Sequence, residues 1–121
     1  MKKLTAILLM ILIFGFIAFL IYSKKQTPSN DVIVITLTED GFVPDQVKIK
    51  KGDTVQFKST AGNPFWPASD IHPTHSIYSE FDPKDAIMPD KTWSFQFNNV
   101  GSWRFHDHLG PYFTGKITVT K

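Results

Sequence analysis

All four histidines of this chain fall into two short windows, His72-Pro73-Thr74-His75 and His106-Asp107-His108, about thirty residues apart. Neutral imidazole is a common ligand for copper, zinc and nickel, so two such pairs make a metal site if the fold brings them together. The chain contains no cysteine, which removes thiolate from the donor set. Three or four imidazoles without sulfur suit Cu(II) or, as the alternative, Zn(II), with copper the tighter binder at equal availability. His72, His75, His106 and His108 are therefore the candidate ligands. A solvated strand position would also explain His106, and a loop residue bonded to backbone would explain His72. Their confinement to two windows argues for a shared task. Met88 is a further candidate as a soft ligand.

Asp107 lies between the histidines of the second pair. If a strand pleat runs through this segment, Asp107 points inward with Trp103 and Phe105, while His106 and His108 share the other face. An inward carboxylate needs a partner, because burying it unpaired is costly. Either it accepts a hydrogen bond from a ligating ring and sets its tautomer, or it ligates directly beside His75. Both arrangements remain open from the residues alone.

The elements that must position these groups read as strands. Ile33, Ile35 and Leu37 alternate along one run, as do Val47 and Ile49 against Lys48 and Lys50, Val55 and Phe57 against Thr54, Gln56 and Lys58, and Trp93, Phe95 and Phe97 against Ser94 and Gln96. Trp103 and Phe105 alternate around Arg104, and Ile117 and Val119 close the chain. Period two over short runs is the signal of a half-buried strand. Asp40-Gly41, Lys51-Gly52-Asp53 and Asn98-Asn99-Val100-Gly101 supply turns. Six or more such strands predict an all-β, two-sheet antiparallel sandwich. Between Ser59 and Asp90 the alternation stops and five of the eight prolines gather. This stretch is too rich in Phe, Trp, Ile and Tyr for disorder, and predicts an ordered loop over one end of the sandwich. Trp66, Trp93 and Trp103 read as core residues; Tyr78 and Phe81 read equally as walls of the site or as packing.

Residues Leu4 to Tyr22 are uncharged, with Lys2 and Lys3 before them and Lys24 and Lys25 after. As a helix they reach roughly 28 Å, about one hydrocarbon core. The run lacks a convincing small-x-small cleavage site, so an uncleaved anchor over 1–25 is expected, with a cleaved signal as the alternative. A polar linker over 26–30 and one domain over 31–121 follow. The short basic N-terminus favours placing that domain outside the cytoplasm, in a bacterial or archaeal cell envelope. With the four flanking lysines set aside, nine basic residues face eleven acidic ones. The domain is mildly acidic, which argues against nucleic acid as a partner.

The run from Gly41 to Phe57, GFVPDQVKIKKGDTVQF, resembles the first half of a cupredoxin domain. Pro89, Trp93 to Phe97, Gly101 to Asp107 and Gly115 to Val119 resemble its second half, in order and spacing. The likeness spans about residues 31 to 121. It implies a Greek-key β-sandwich holding copper at one end, with His75 at the position of the family's mid-chain ligand. Counted back from Gly115, the positions of the family's cysteine, histidine and methionine ligands hold Asp107, Gly110 and Phe113. A blue centre needs thiolate, and this chain has none. The segment Phe105-His106-Asp107-His108 also resembles a His-x-His copper motif of multicopper oxidases, though a single domain cannot house their oxygen-reducing cluster. Together with the anchor expected over 1–25, the resemblance implies a non-enzymatic, membrane-anchored copper protein serving copper capture, delivery or electron transfer through a non-blue histidine site. The alternative from another class is a metal-free sandwich that uses its aromatic loop to bind an envelope protein. A hydrolytic zinc enzyme with Asp107 as base is the third reading.

Overall fold

The computed structural model describes residues 7, 10–19 and 32–121. The anchor expected over 1–25 lies partly, and the linker over 26–30 wholly, outside the described residues. Residues 10–19 are helical, with Phe14, Phe16 and Phe19 exposed. Among the described residues no helix is long and apolar enough to cross a membrane.

Eight strands follow: β1 Ile33–Thr38, β2 Gly41–Val43, β3 Gln46–Lys50, β4 Thr54–Ser59, β5 Pro67–Ser69, β6 Trp93–Gln96, β7 Gly101–Asp107 and β8 Gly110–Thr120. They form two four-stranded sheets, ordered β2-β1-β4-β6 and β3-β8-β7-β5. The alternation sends Ile35 and Leu37 of β1, Val55 and Phe57 of β4, and Ile117 and Val119 of β8 into one core between the sheets.

The expectation of a purely antiparallel sandwich is corrected in two places. β1 runs parallel to β4, with Ile33 opposite Val55, and β3 runs parallel to β8, with Gln46 opposite Lys116. The cause is the crossover: the chain leaves the first sheet after β2, lays β3 in the second sheet, and returns as β4 in the direction of β1.

Two strands, β2 and β5, went unread in the sequence. β2 is reached through a tight turn whose Gly41 has φ +129°, a conformation side chains seldom adopt. β5 lies inside the irregular stretch and pairs with the end of β7, placing Pro67 opposite Asp107, Ala68 opposite His106 and Ser69 opposite Phe105. That stretch also adds to the core. Phe65 and Phe81 are fully buried, Tyr78 nearly so, and Phe65 and Ile87 exchange backbone hydrogen bonds of 3.0 and 2.8 Å. Phe81 packs among Phe57, Phe97 and Phe105 with ring centroids 5.0–5.7 Å apart, a range where aromatic pairs attract beyond their area. Phe105 reaches this position because residue 115 is glycine: a Cβ there would overlap the Phe105 ring and stand 2.8 Å from the Asp45 carbonyl. The residue that precedes the second histidine window is thus locked into the core.

Candidate metal centre

β7 delivers the second window. Its register against β8 shifts between His106 and Asp107, so Phe105, His106 and Asp107 are buried in succession rather than alternately. His106 is therefore not a solvated strand residue but is 2 % exposed. Its Nδ1 donates to Asp70 Oδ1 at 2.9 Å. Asp70 follows β5 directly and is tied to β7, its amide bonding the Arg104 carbonyl at 3.0 Å and Oδ2 accepting from Arg104 Nε at 3.3 Å.

The first window is a tight turn after Asp70, closed by the His75 amide donating to the Ile71 carbonyl at 2.7 Å. His75 sits at φ +53°, in the left-handed region, and is 3 % exposed. Its Nδ1 donates to Asp82 Oδ2 at 2.7 Å. Ser69 Oγ lies 2.9 Å from the carbonyls of both His75 and Tyr78, between which its one proton is shared, and this fastens the turn to β5 and to the aromatic core.

The rings then converge. His75 Nε2 lies 3.0 Å from His108 Nδ1, and His106 Nε2 lies 3.3 Å from His72 Nδ1. One ligand nitrogen from each of the four rings falls within 4.8 Å of the others. His108 is held by its amide, which donates to the Trp66 carbonyl at 2.8 Å, and by its ring, which tilts over the Trp66 indole with centroids 4.6 Å apart. His72 stands in a run of exposed residues, 71–74.

Asp107 does neither of the things expected of it. Among the described residues it hydrogen-bonds to no histidine: Oδ1 accepts from the amides of Trp66 at 2.7 Å and Leu109 at 3.3 Å. The register shift turns its carboxylate toward the backbone entering β5, and two amide donors satisfy it there. Its role is to hold the turn that carries His108. Met88 is 54 % exposed, beside the Phe65–Ile87 bridge. Trp93 and Trp103 pack against the core as read, and Tyr78 and Phe81 belong to the core itself. Trp66 departs from the core reading and stands beside the rings.

The carboxylates that orient the rings, Asp70 and Asp82, were missed. Both flank the first window in sequence, but only the path of the intervening loop turns them back onto histidine Nδ1 atoms. Asp82 is a hub, accepting also from Trp66 Nε1 at 2.8 Å and from the Lys84 amide and ammonium, both at 2.9 Å. Burial opposes its charge, yet the bonds from His75, Lys84 and Trp66 outweigh burial and hold its carboxyl well below the usual carboxylate range. His108 titrates below its ordinary value, first because burial disfavours its cation and then because His75, His72 and His106 stand nearby.

This donor set does not fit a blue copper centre, which requires a thiolate. It does fit an ion bound by nitrogen alone. Ligands at about 2.0–2.1 Å from one ion lie roughly 3 Å apart, the spacing of the two close ring pairs here. His75 and His106 each give Nδ1 to a carboxylate and turn Nε2 to the cluster, the disposition of metal-ligating histidines.

Residues 11–119 match the sequence model of the cupredoxin-like domain. The chain belongs to that family. Among curated proteins, this cupredoxin is 28 % identical to plastocyanin of Vicia faba over 88 residues, covering 64 % of this chain and 86 % of the relative. Among solved structures, it superposes on an amicyanin variant in its Cu(I) form with a TM-score of 0.63 at 18 % identity, covering 79 % of this chain and 88 % of that one. A purple cupredoxin from Nitrosopumilus maritimus superposes with a TM-score of 0.63 at 17 % identity, covering 73 % and 99 %. At these identities the structural matches speak for the fold. Within this cupredoxin, the four-histidine cluster occupies the end of the sandwich where β5, β7 and the long loop meet.

Proposed function

We propose that this cupredoxin is a non-blue copper carrier: it captures one copper ion through His72, His75, His106 and His108 and passes it on. The observation that carries the reading is the convergence of four ring nitrogens within 4.8 Å, with two of the rings oriented by carboxylates, His75 by Asp82 and His106 by Asp70. Copper would supply the cargo, or a one-electron couple if the site also serves electron transfer. The chain's own residues do the rest. Asp82 and Asp70 keep the Nδ1 protons of His75 and His106, which leaves both Nε2 lone pairs free for the ion. Trp66 covers one side of His108 and limits water there. Both carboxylates beside the rings are committed to these protons and to Lys84, Trp66 and Arg104, which favours binding over general-base catalysis. The uncharged run from Leu4 to Tyr22 supports a membrane anchor, and the short basic N-terminus before it supports a domain on the extracytoplasmic side.

The test is a Cu(II) titration of the purified full chain, followed by electron paramagnetic resonance. The expected result is one tight equivalent with nitrogen hyperfine structure and weak visible absorption, abolished in His106→Gln. Intense blue charge-transfer absorption, or no stoichiometric uptake, would sink the reading. Absent uptake would return attention to the aromatic loop as a protein-binding surface.

A further inference from the structure

The four candidate ligands are not held alike. His75 and His106 are almost wholly buried, and each has its far nitrogen bonded to a carboxylate, at 2.7 and 2.9 Å. His108 is half-buried, tilted over Trp66 and tethered through its amide. His72 is held differently: among the described residues no carboxylate bonds its ring, which meets only the other cluster rings, His106 at 3.3 Å between nitrogens and His108 with centroids 4.7 Å apart. Its neighbours Ile71, Pro73 and Thr74 are all exposed. The hydrogen bonds of the turn, His75 amide and Thr74 Oγ1 to the Ile71 carbonyl, fix its backbone without fixing the imidazole. The ring is exposed, and turning it outward about its side-chain bonds would give up only its contacts with the His106 and His108 rings.

Resting on the copper-carrier reading, we infer that His72 is the exchangeable ligand of the centre, and that an incoming donor group takes its place when the ion enters or leaves. His75, His106 and His108 form the retained set. A three-ligand base keeps the ion from being lost to bulk water while the fourth position changes hands. The side from which an acceptor approaches is the exposed face of residues 71–74.

The test uses the full chain loaded with one equivalent of Cu(II), comparing the parent with His72→Gly, His72→Gln and His106→Gln, each checked by a metal-free melting curve. Both His72 variants should still bind one equivalent, with one nitrogen fewer in the hyperfine pattern. Their transfer of copper to excess EDTA should be faster than the parent's by about tenfold or more. Millimolar imidazole should restore the parent spectrum in His72→Gly, because the vacated position opens to solvent. His106→Gln should lose tight binding. If the His72 variants lose copper as completely as His106→Gln, or if imidazole leaves the His72→Gly spectrum unchanged, the inference falls while the copper reading stands. If the parent itself takes up no copper, both fall.

Discussion

A ligating imidazole must present a lone pair, and at His75 that requirement rests on Asp82. The carboxylate holds the proton on Nδ1 at 2.7 Å, so Nε2 faces the cluster bare. Asp82→Asn offers an amide where a carboxylate stood, and the side-chain NH2 competes with the ring for the role of donor. His75 then gains access to the other tautomer, whose proton points at the ion. Copper affinity should fall about 10–100-fold, read by competition with a chelator, while Asp82→Glu recovers part of it. An unchanged affinity in Asp82→Asn would remove the orienting role. Titration adds a second expectation. His108 binds its proton less readily in the folded chain than at the ordinary value of 6.5. Below that pH the unfolded chain therefore takes up more protons than the folded one. The contribution of His108 to stability is present above about 6.5 and is lost as pH falls toward its folded value. Asp82 repeats the pattern lower, its contribution present above 3.8 and lost in stronger acid. Melting temperatures of the metal-free chain should thus decline as pH drops below 6.5, and less steeply in His108→Gln. Equal slopes in the two chains would refute the assignment.

At the scale of elements, the site depends on where β7 stops behaving as a regular strand. Phe105 is buried as alternation demands, and the register shift then buries His106 and Asp107 beside it. Gly115 on β8 makes this possible by leaving room for the Phe105 ring. Gly115→Ala forces that ring or the Asp45 carbonyl to move. Overpacking of this kind costs about 1–3 kcal/mol, or roughly 4–8 °C of melting temperature per kcal/mol for a domain this size. Copper affinity should weaken with it, since His106 follows Phe105 directly; calorimetry and a chelator competition on the same variant check both. These elements also mark the limit of what the sequence discloses. Strands with two or more apolar residues in alternation, β1, β3, β4, β6, β7 and β8, could be read from period two. β2 and β5 could not, because three residues are too few to show a period and Pro67-Ala68-Ser69 has no β-branched member. The four histidines announced themselves by type and spacing. Their carboxylate partners did not, because Asp70 and Asp82 meet the rings only through the three-dimensional path of the loop between them. Asp107 was misplaced for a related reason: a register shift inverts the face of every residue after it, and nothing in Phe105-His106-Asp107-His108 signals one.

For the molecule as a whole, the ligands add a further tie between the long loop and β7, which already meet through the β5–β7 pairing and the hydrogen bonds of Trp66 and Asp70. His106 and His108 belong to β7 and the turn after it, whereas His72 and His75 belong to the long loop. That loop returns to the core through Tyr78 and Phe81 and is clamped to β5 by Ser69. An ion bound by both windows cross-links the loop to the second sheet at a point already anchored on either side. Opening the site then requires disrupting the core as well, so binding should stabilise the global fold and not merely quieten a surface loop. An ion that binds only the native state adds about 2.7 kcal/mol when its free concentration is a hundred times Kd. For a domain of this size that corresponds to roughly 10–20 °C of melting temperature. Metal-free and copper-loaded chains, melted under identical conditions, should differ by this order, with a single cooperative transition in each. His75→Asn is the matching control, because Asn tolerates the left-handed backbone at φ +53° while removing a ligand. It should lower the metal-free melting temperature, because buried Asp82 loses its His75 bond, and lose most of the copper-induced rise measured from that new baseline. A rise that survives in His75→Asn would mean that copper stabilises the chain from somewhere other than the four-histidine cluster.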